Sequence, residues 1–131
     1  MAGINGILET ALYVDDPQHS AAFYQGLFNC ASVAVSDRLI ALAVVPGQVL
    51  LLFKKRASLA LGPTAHDGDG QLHIAFAIAA EDLDAWRIQL HNSGIAVIED
   101  RVWELGGRSL FFRDPDGHLV ELGTPGIWAN Y

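Results

Sequence analysis

Several things are scarce in this sequence, and each scarcity excludes something. Cysteine is reduced to Cys30 alone, so there is no internal disulfide and no cysteine pair to hold a metal. Eight basic residues face fifteen acidic ones, for a formal charge of -7, and apart from Lys54-Lys55-Arg56 the basic residues are scattered. A nucleic-acid partner is not expected of such a surface. Long hydrophobic runs are missing too: Leu39 to Val45 is among the longest, far below the roughly 18 residues of a membrane span. Residues Met1 to Gly6 show neither the basic start nor the apolar stretch of a secretory signal. These absences favour a reducing, cytoplasmic setting with no membrane partner.

What is present is apolar material in quantity. With 51% hydrophobic residues in 131, the chain is the size of one domain with a real core. Ile7 to Val14 suits a strand, and Asp15-Asp16-Pro17 then supplies helix-start chemistry. Ala21, Ala22, Phe23, Tyr24 and Leu27 give the following helix its apolar face, with Gly26 blurring its end. Short strands are expected over 31–35, 39–45 and 49–54. The Gly- and Pro-bearing stretch from Ser58 to Gly70 reads as a linker between a module of about 1–57 and one of about 71–131. The pattern then restarts: a strand over 72–78, a helix from Glu81 to about His91 ending at Asn92-Ser93-Gly94, and strands around 95–98, 101–105, 109–113 and 119–122.

The repetition extends to residues. Leu8-Glu9-Thr10-Ala11-Leu12-Tyr13-Val14 corresponds to Leu72-His73-Ile74-Ala75-Phe76-Ala77-Ile78, and Leu50-Leu51-Leu52-Phe53 to Leu119-Val120-Glu121-Leu122. Two half-domains, each with one helix to cover its sheet, are expected to pair those sheets around a common cavity. Strand alternation puts Glu9 with Ala11, His73 with Ala75 and Ala77, and Glu121 with Gly123 on faces opposite to bulky apolar residues. A carboxylate in an apolar strand is costly unless paired or bound to a cation. Glu9, His73 and Glu121, if they converge, offer one imidazole and two carboxylates, a set that suits one divalent ion of zinc, manganese, iron, cobalt or nickel and leaves positions open for substrate.

Together with the Asp15-Asp16 turn and Phe23-Tyr24, the Glu9 strand, His73-Ile74-Ala75-Phe76 and the segment from Phe112 through Asp114-Pro115-Asp116-Gly117-His118 to Glu121-Leu122 resemble the vicinal oxygen chelate superfamily. Its members include glyoxalase I, extradiol dioxygenases, methylmalonyl-CoA epimerase, fosfomycin resistance enzymes and bleomycin resistance proteins. The resemblance implies an α+β fold of two βαβββ modules forming a partly open mixed-sheet barrel around a central cavity, a homodimer, and metal positions at Glu9, His73 and Glu121. It implies a metal-dependent enzyme acting on a small oxygen-chelating substrate, as isomerase, lyase, dioxygenase or thiol transferase, with Glu121 and Glu9 as catalytic carboxylates and Arg101, Trp103 and Phe111 as substrate contacts. The alternative it carries is a non-catalytic, bleomycin-resistance-like binding protein.

Departures narrow what transfers. Leu52 occupies the position matched to a fourth glyoxalase I ligand. The stretch from His91 to Glu121 is similar to fosfomycin-modifying enzymes, with Arg101 where they carry a basic residue. Glu9, however, replaces their first metal histidine, Ala11 an active-site Thr or Cys, and Phe111 a tyrosine. Simpler readings account for other residues. Asp114 to Gly117 is turn chemistry and includes His118 at its end; His66, Asp67 and Asp69 face solvent from a loop, and Lys54-Lys55-Arg56 is a solvated strand end. Trp128 and Tyr131 pack on the domain or a second subunit, and Glu121 by itself would pair with Arg108 or Arg113.

Overall fold

In strand β1 (Glu9–Val14), Leu12 and Val14 are buried while Ala11 and Tyr13 are only half-buried, the alternation of a strand with one covered face. The structure, a computed structural model, describes residues 1–131 and divides into Met1–Gly70 and Gln71–Tyr131. After β1, the Asp16 carboxylate accepts hydrogen bonds from the Gln18 and His19 amides at 3.0 and 3.3 Å, and Pro17 fills the first turn of α1 (Pro17–Phe28). The helix runs through Gly26 to Asn29, whose left-handed φ of 52° ends it. The terminus expected to be blurred is sharply capped, because Asn tolerates the conformation that stops the helix.

Strands β2 (Ser32–Val35), β3 (Leu39–Val45) and β4 (Gln48–Lys54) follow, and the sheet order is β1-β4-β3-β2 with β1 parallel to β4. Helix α1 lies against β3 and β4, and Tyr24, Leu27, Leu12, Ile40, Leu42, Leu50 and Leu52 form the buried core. The second unit repeats the plan with β5 (His73–Ala77), α2 (Leu83–Asn92), β6 (Glu99–Val102), β7 (Arg108–Arg113) and β8 (Leu119–Gly123), ordered β5-β8-β7-β6. The fold is α+β, two mixed four-stranded sheets with one α-helix each.

Three expectations change. A single strand, β6, replaces the two expected over 95–98 and 101–105. The Ile95 amide still bonds the Leu90 carbonyl at the end of α2, so the apolar segment closes the helix and pairing starts only near Ile98. Polar Glu99, Asp100 and Arg101 hold the strand because Asp100 is gripped by Arg87 of α2 and Arg108 of β7. Burial pushes the Asp100 carboxyl up, but hydrogen bonds from these two guanidiniums outweigh it and hold the group below its ordinary range.

The repeat register shifts by one residue. Ala11 pairs with Leu51 and Ala75 with Glu121, so Leu51, not the buried core residue Leu52, is the first-half counterpart of Glu121.

The loop from Ser58 to Gly70 is part of the first unit rather than a bare linker. His66 Nδ1 lies 2.8 Å from the Tyr13 hydroxyl, and its ring packs edge-on to Phe53 at 4.5 Å. Lys55, paired with Asp15 at 3.1 Å and Asp69 at 3.2 Å, ties the same loop to the end of β4. His66 is therefore packed and half-buried, contrary to the solvent-facing loop expected.

Candidate functional site

The sheet of the second unit uses its two faces differently. Ile74, Leu110, Phe112, Val120 and Leu122 are buried on one face. His73, Ala75, Arg101, Phe111 and Glu121 line a cavity of about 850 Å³ on the other. The hairpin that delivers Glu121 is set by its turn. Asp114 accepts from the Asp116 and His118 amides, both at 2.9 Å, and Gly117 takes a φ of +81°. His118 is fully buried and its Nδ1 accepts from the Leu72 amide at 2.8 Å, tying the turn to the start of β5. That histidine is structural, as its place in the turn suggested. The resulting register sets Phe111 opposite Glu121 and Ser109 opposite Gly123.

Parallel pairing places His73 opposite Leu119, diagonal to Glu121 on the same face. His73 Nδ1 lies 3.0 Å from the Leu119 carbonyl; a carbonyl only accepts, so this nitrogen carries a proton and donates it. His73 Nε2 then faces Glu121 Oε1 at 3.3 Å. In the neutral imidazole, Nε2 and Oε1 are both lone-pair donors, and a proton or a cation must lie between them for the approach to be favourable. Two such atoms 3.3 Å apart both reach one ion at ligand distances of about 2.1 Å. As a pair, these two side chains offer a divalent metal two of its ligands.

Glu121 is 7% exposed, and its second oxygen, Oε2, accepts from the Ser109 hydroxyl at 2.5 Å. The salt bridge to Arg108 or Arg113 does not form: Arg108 is taken by Asp100, and Arg113 donates to the Gly117 carbonyl. Ser109, fully buried, also accepts from the Trp103 indole N–H at 2.7 Å. A serine in a strand carries no sequence signal of its own. The signal was the register: given the turn at 114–117, Ser109 falls beside Glu121 on one face.

The other expected contacts are brought together. The Arg101 guanidinium lies over Trp103 at 4.8 Å and over Phe111 at 5.1 Å and pairs with Glu99. Trp128 and Tyr131, expected to pack on the domain or a second subunit, line the cavity as well. The Tyr131 hydroxyl bonds the Gly123 carbonyl at 3.1 Å and the Ile78 carbonyl at 3.4 Å, hooking the tail onto the sheet. Ile127 fills the space that Gly123 leaves, since a Cβ there would come within 2.6 Å of its Cδ1. Glu9 stands exposed on β1 of the first unit, and the chain gathers no group of three His, Cys, Asp or Glu side chains.

Comparison with known proteins follows the same lines. The sequence pattern of the Glyoxalase/Bleomycin resistance protein/Dioxygenase superfamily matches residues 6–122. Metallothiol transferase FosB of Bacillus licheniformis is 31% identical over 127 residues, covering 96% of this chain and 77% of its own. Lactoylglutathione lyase from Agrobacterium tumefaciens superposes with a TM-score of 0.89 at 31% identity, covering 98% of this chain and 99% of its own. The fosfomycin resistance protein FosX from Listeria monocytogenes, solved as a mutant with Mn(II) and 1S,2S-dihydroxypropylphosphonic acid, has a TM-score of 0.69 at 27% identity and covers 92% and 90%. No helix is long and apolar enough to cross a membrane.

Proposed function

The chain belongs to the glyoxalase/bleomycin resistance protein/dioxygenase superfamily, and on that premise we propose that it is a divalent-metal-dependent enzyme acting on a small oxygen-chelating substrate. The observation that carries this reading is the pair of lone-pair atoms, His73 Nε2 and Glu121 Oε1, facing each other at 3.3 Å in the cavity of the second unit, spaced to share one ion. Glu9 is the proposed third ligand, and the protein is proposed to be a homodimer.

The ion, zinc, manganese, iron, cobalt or nickel, would act as a Lewis acid on the substrate oxygens. Arg101, held between Trp103 and Phe111 and partly neutralised by Glu99, would orient an anionic end of the substrate. Glu121 and Glu9 are the carboxylates available to accept a proton from it. Among isomerase, lyase, dioxygenase and thiol transferase chemistry, the FosB relatives favour addition of a thiol to the substrate. The setting proposed is cytoplasmic.

One observation favours a second reading, a non-catalytic binding protein. Where fosfomycin-modifying enzymes are expected to offer hydroxyls, this chain has Ala11 and Phe111, and much of the cavity wall is aromatic or aliphatic: Trp103, Phe111, Ile127 and Trp128. Titrating the purified, metal-stripped protein with Mn²⁺ in a calorimeter separates the two. Saturable binding that weakens on the order of 100-fold in Glu121→Gln and His73→Ala is expected. Heats that never saturate, or affinity indifferent to both substitutions, would leave only the binding-protein reading.

A further inference from the structure

We propose that Ser109 is a positioning residue that fixes Glu121 as a one-oxygen ligand, with the Trp103 indole fixing Ser109 in turn. The proposal rests on the reading of Glu121 as a metal ligand and adds a role that reading does not contain. The direction of each hydrogen bond follows from the chemistry of its groups. An indole nitrogen only donates, so Trp103 Nε1, at 2.7 Å, uses a lone pair of Ser109 Oγ. The serine's own proton is thereby turned toward Glu121 Oε2 at 2.5 Å. With Oε2 engaged, Oε1 is the oxygen left for the side of His73. The hydrogen bond also draws charge from the carboxylate and restrains its rotation.

A second observation separates this role from ordinary strand packing. In the first unit the register aligns Leu39 with Ser109 and Leu51 with Glu121, since Leu39 pairs with Phe53 and Ala41 with Leu51 as Ser109 pairs with Gly123 and Phe111 with Glu121. The same backbone accepts leucine at both places. The fold therefore does not require a hydroxyl at this position, and the hydroxyl occurs in the unit that has the carboxylate. Ser109 is fully buried, so water does not reach it to take over its bonds.

The test measures Mn²⁺ affinity by calorimetry and the visible spectrum of the Co²⁺-loaded protein for wild type, Ser109→Ala, Ser109→Thr and Trp103→Phe. Ser109→Ala is expected to weaken Mn²⁺ binding about 10-fold and to alter the Co²⁺ bands as the carboxylate rotates. Ser109→Thr, which keeps the hydroxyl, is expected to restore both to near wild type, and Trp103→Phe, which removes the indole donor and keeps an aromatic ring, to fall between. If wild type binds Mn²⁺ and folded Ser109→Ala binds it equally well with an unchanged Co²⁺ spectrum, the positioning role is overturned and the metal reading stands. Failure of wild type to bind Mn²⁺ overturns both. Should Ser109→Ala not fold, the ranking of Trp103→Phe below Ser109→Thr decides, and equality with wild type in both counts against the proposal.

Discussion

The two halves of this protein lay down the same strands in the same order and then treat the open faces of their sheets differently. In the first unit the positions matching Glu121, Ser109 and Phe111 are Leu51, Leu39 and Ala41, and a loop of the same unit brings His66 onto Tyr13 and Phe53. In the second unit the corresponding face carries polar side chains, borders a cavity of about 850 Å³ and has the hook of Tyr131 at its edge. Backbone architecture is thus separable from chemistry. A βαβββ module needs its buried apolar face, such as Leu12 and Leu52 or Ile74 and Leu122, and leaves the other face free to be covered or to be equipped.

Substitutions can break this contrast or sharpen it. The largest effect is expected from Leu51→Glu, which sets a carboxylate diagonal to Glu9 without the serine and imidazole of the second unit. Stability should fall by about 3 kcal/mol at neutral pH, because the new carboxylate is half-buried and faces a like charge. Its folded-state pKa would be raised, so the loss is complete only above that raised value and shrinks to nothing as pH falls through it to the unfolded pKa. Urea unfolding at pH 7 and pH 4 measures this. A variant as stable as wild type that binds Mn²⁺ as tightly would erase the distinction between the halves.

Next comes Gly107→Ala in the second unit. A Cβ there would stand 2.5 Å from the Gly126 carbonyl carbon and 2.7 Å from the Ile127 nitrogen, both backbone. Displacing the hook should cost about 2 kcal/mol in thermal unfolding and expose Trp128 further, read by a red shift of tryptophan emission. An unshifted melt would mean the hook is not held by this approach. Tyr13→Phe is the smaller counterpart in the first unit. It removes the hydroxyl that meets His66 and should cost about 1 kcal/mol while leaving Mn²⁺ affinity unchanged; a change in that affinity would tie the covered face to the metal site.

Much of the fold was legible in the chain, for identifiable reasons. The strands bearing Glu9 and His73 alternate cleanly, and Asp114-Pro115-Asp116-Gly117 announces the hairpin that sets Glu121. Legibility failed where local pattern and tertiary pairing disagree. Ile95 to Ile98 looks like a strand, yet Ile95 closes the helix end and only Ile98 begins to pair, while Glu99 and Asp100, between the two expected strands, pair with β7 because Arg87 and Arg108 hold Asp100. The leucine run Leu50-Leu51-Leu52 has no alternation to count by, so only the parallel ladder with β1 reveals that Leu51 is the match to Glu121. Of the candidate site, His73, Glu121, Arg101, Trp103 and Phe111, suggested by their faces and the family resemblance, line one cavity, while Glu9 is exposed on β1 of the first unit. Ser109 was missed because a small polar residue acquires meaning only from what lies across the ladder.

The parallel pairing of β5 with β8 also bears on the order in which the molecule is made. β7 and β8 meet through a short turn, whereas β5 reaches β8 only after closing a loop of more than about 40 residues. Closing that loop gains little until the hairpin is there to receive it, so β7 and β8 are expected to pair first and β5 to dock late. His73 would then arrive at a carboxylate already fixed by Ser109. By the same argument the half-site is expected to open by release of one edge strand, and pulse-labelled amide exchange should find β5 gaining protection after β7 and β8.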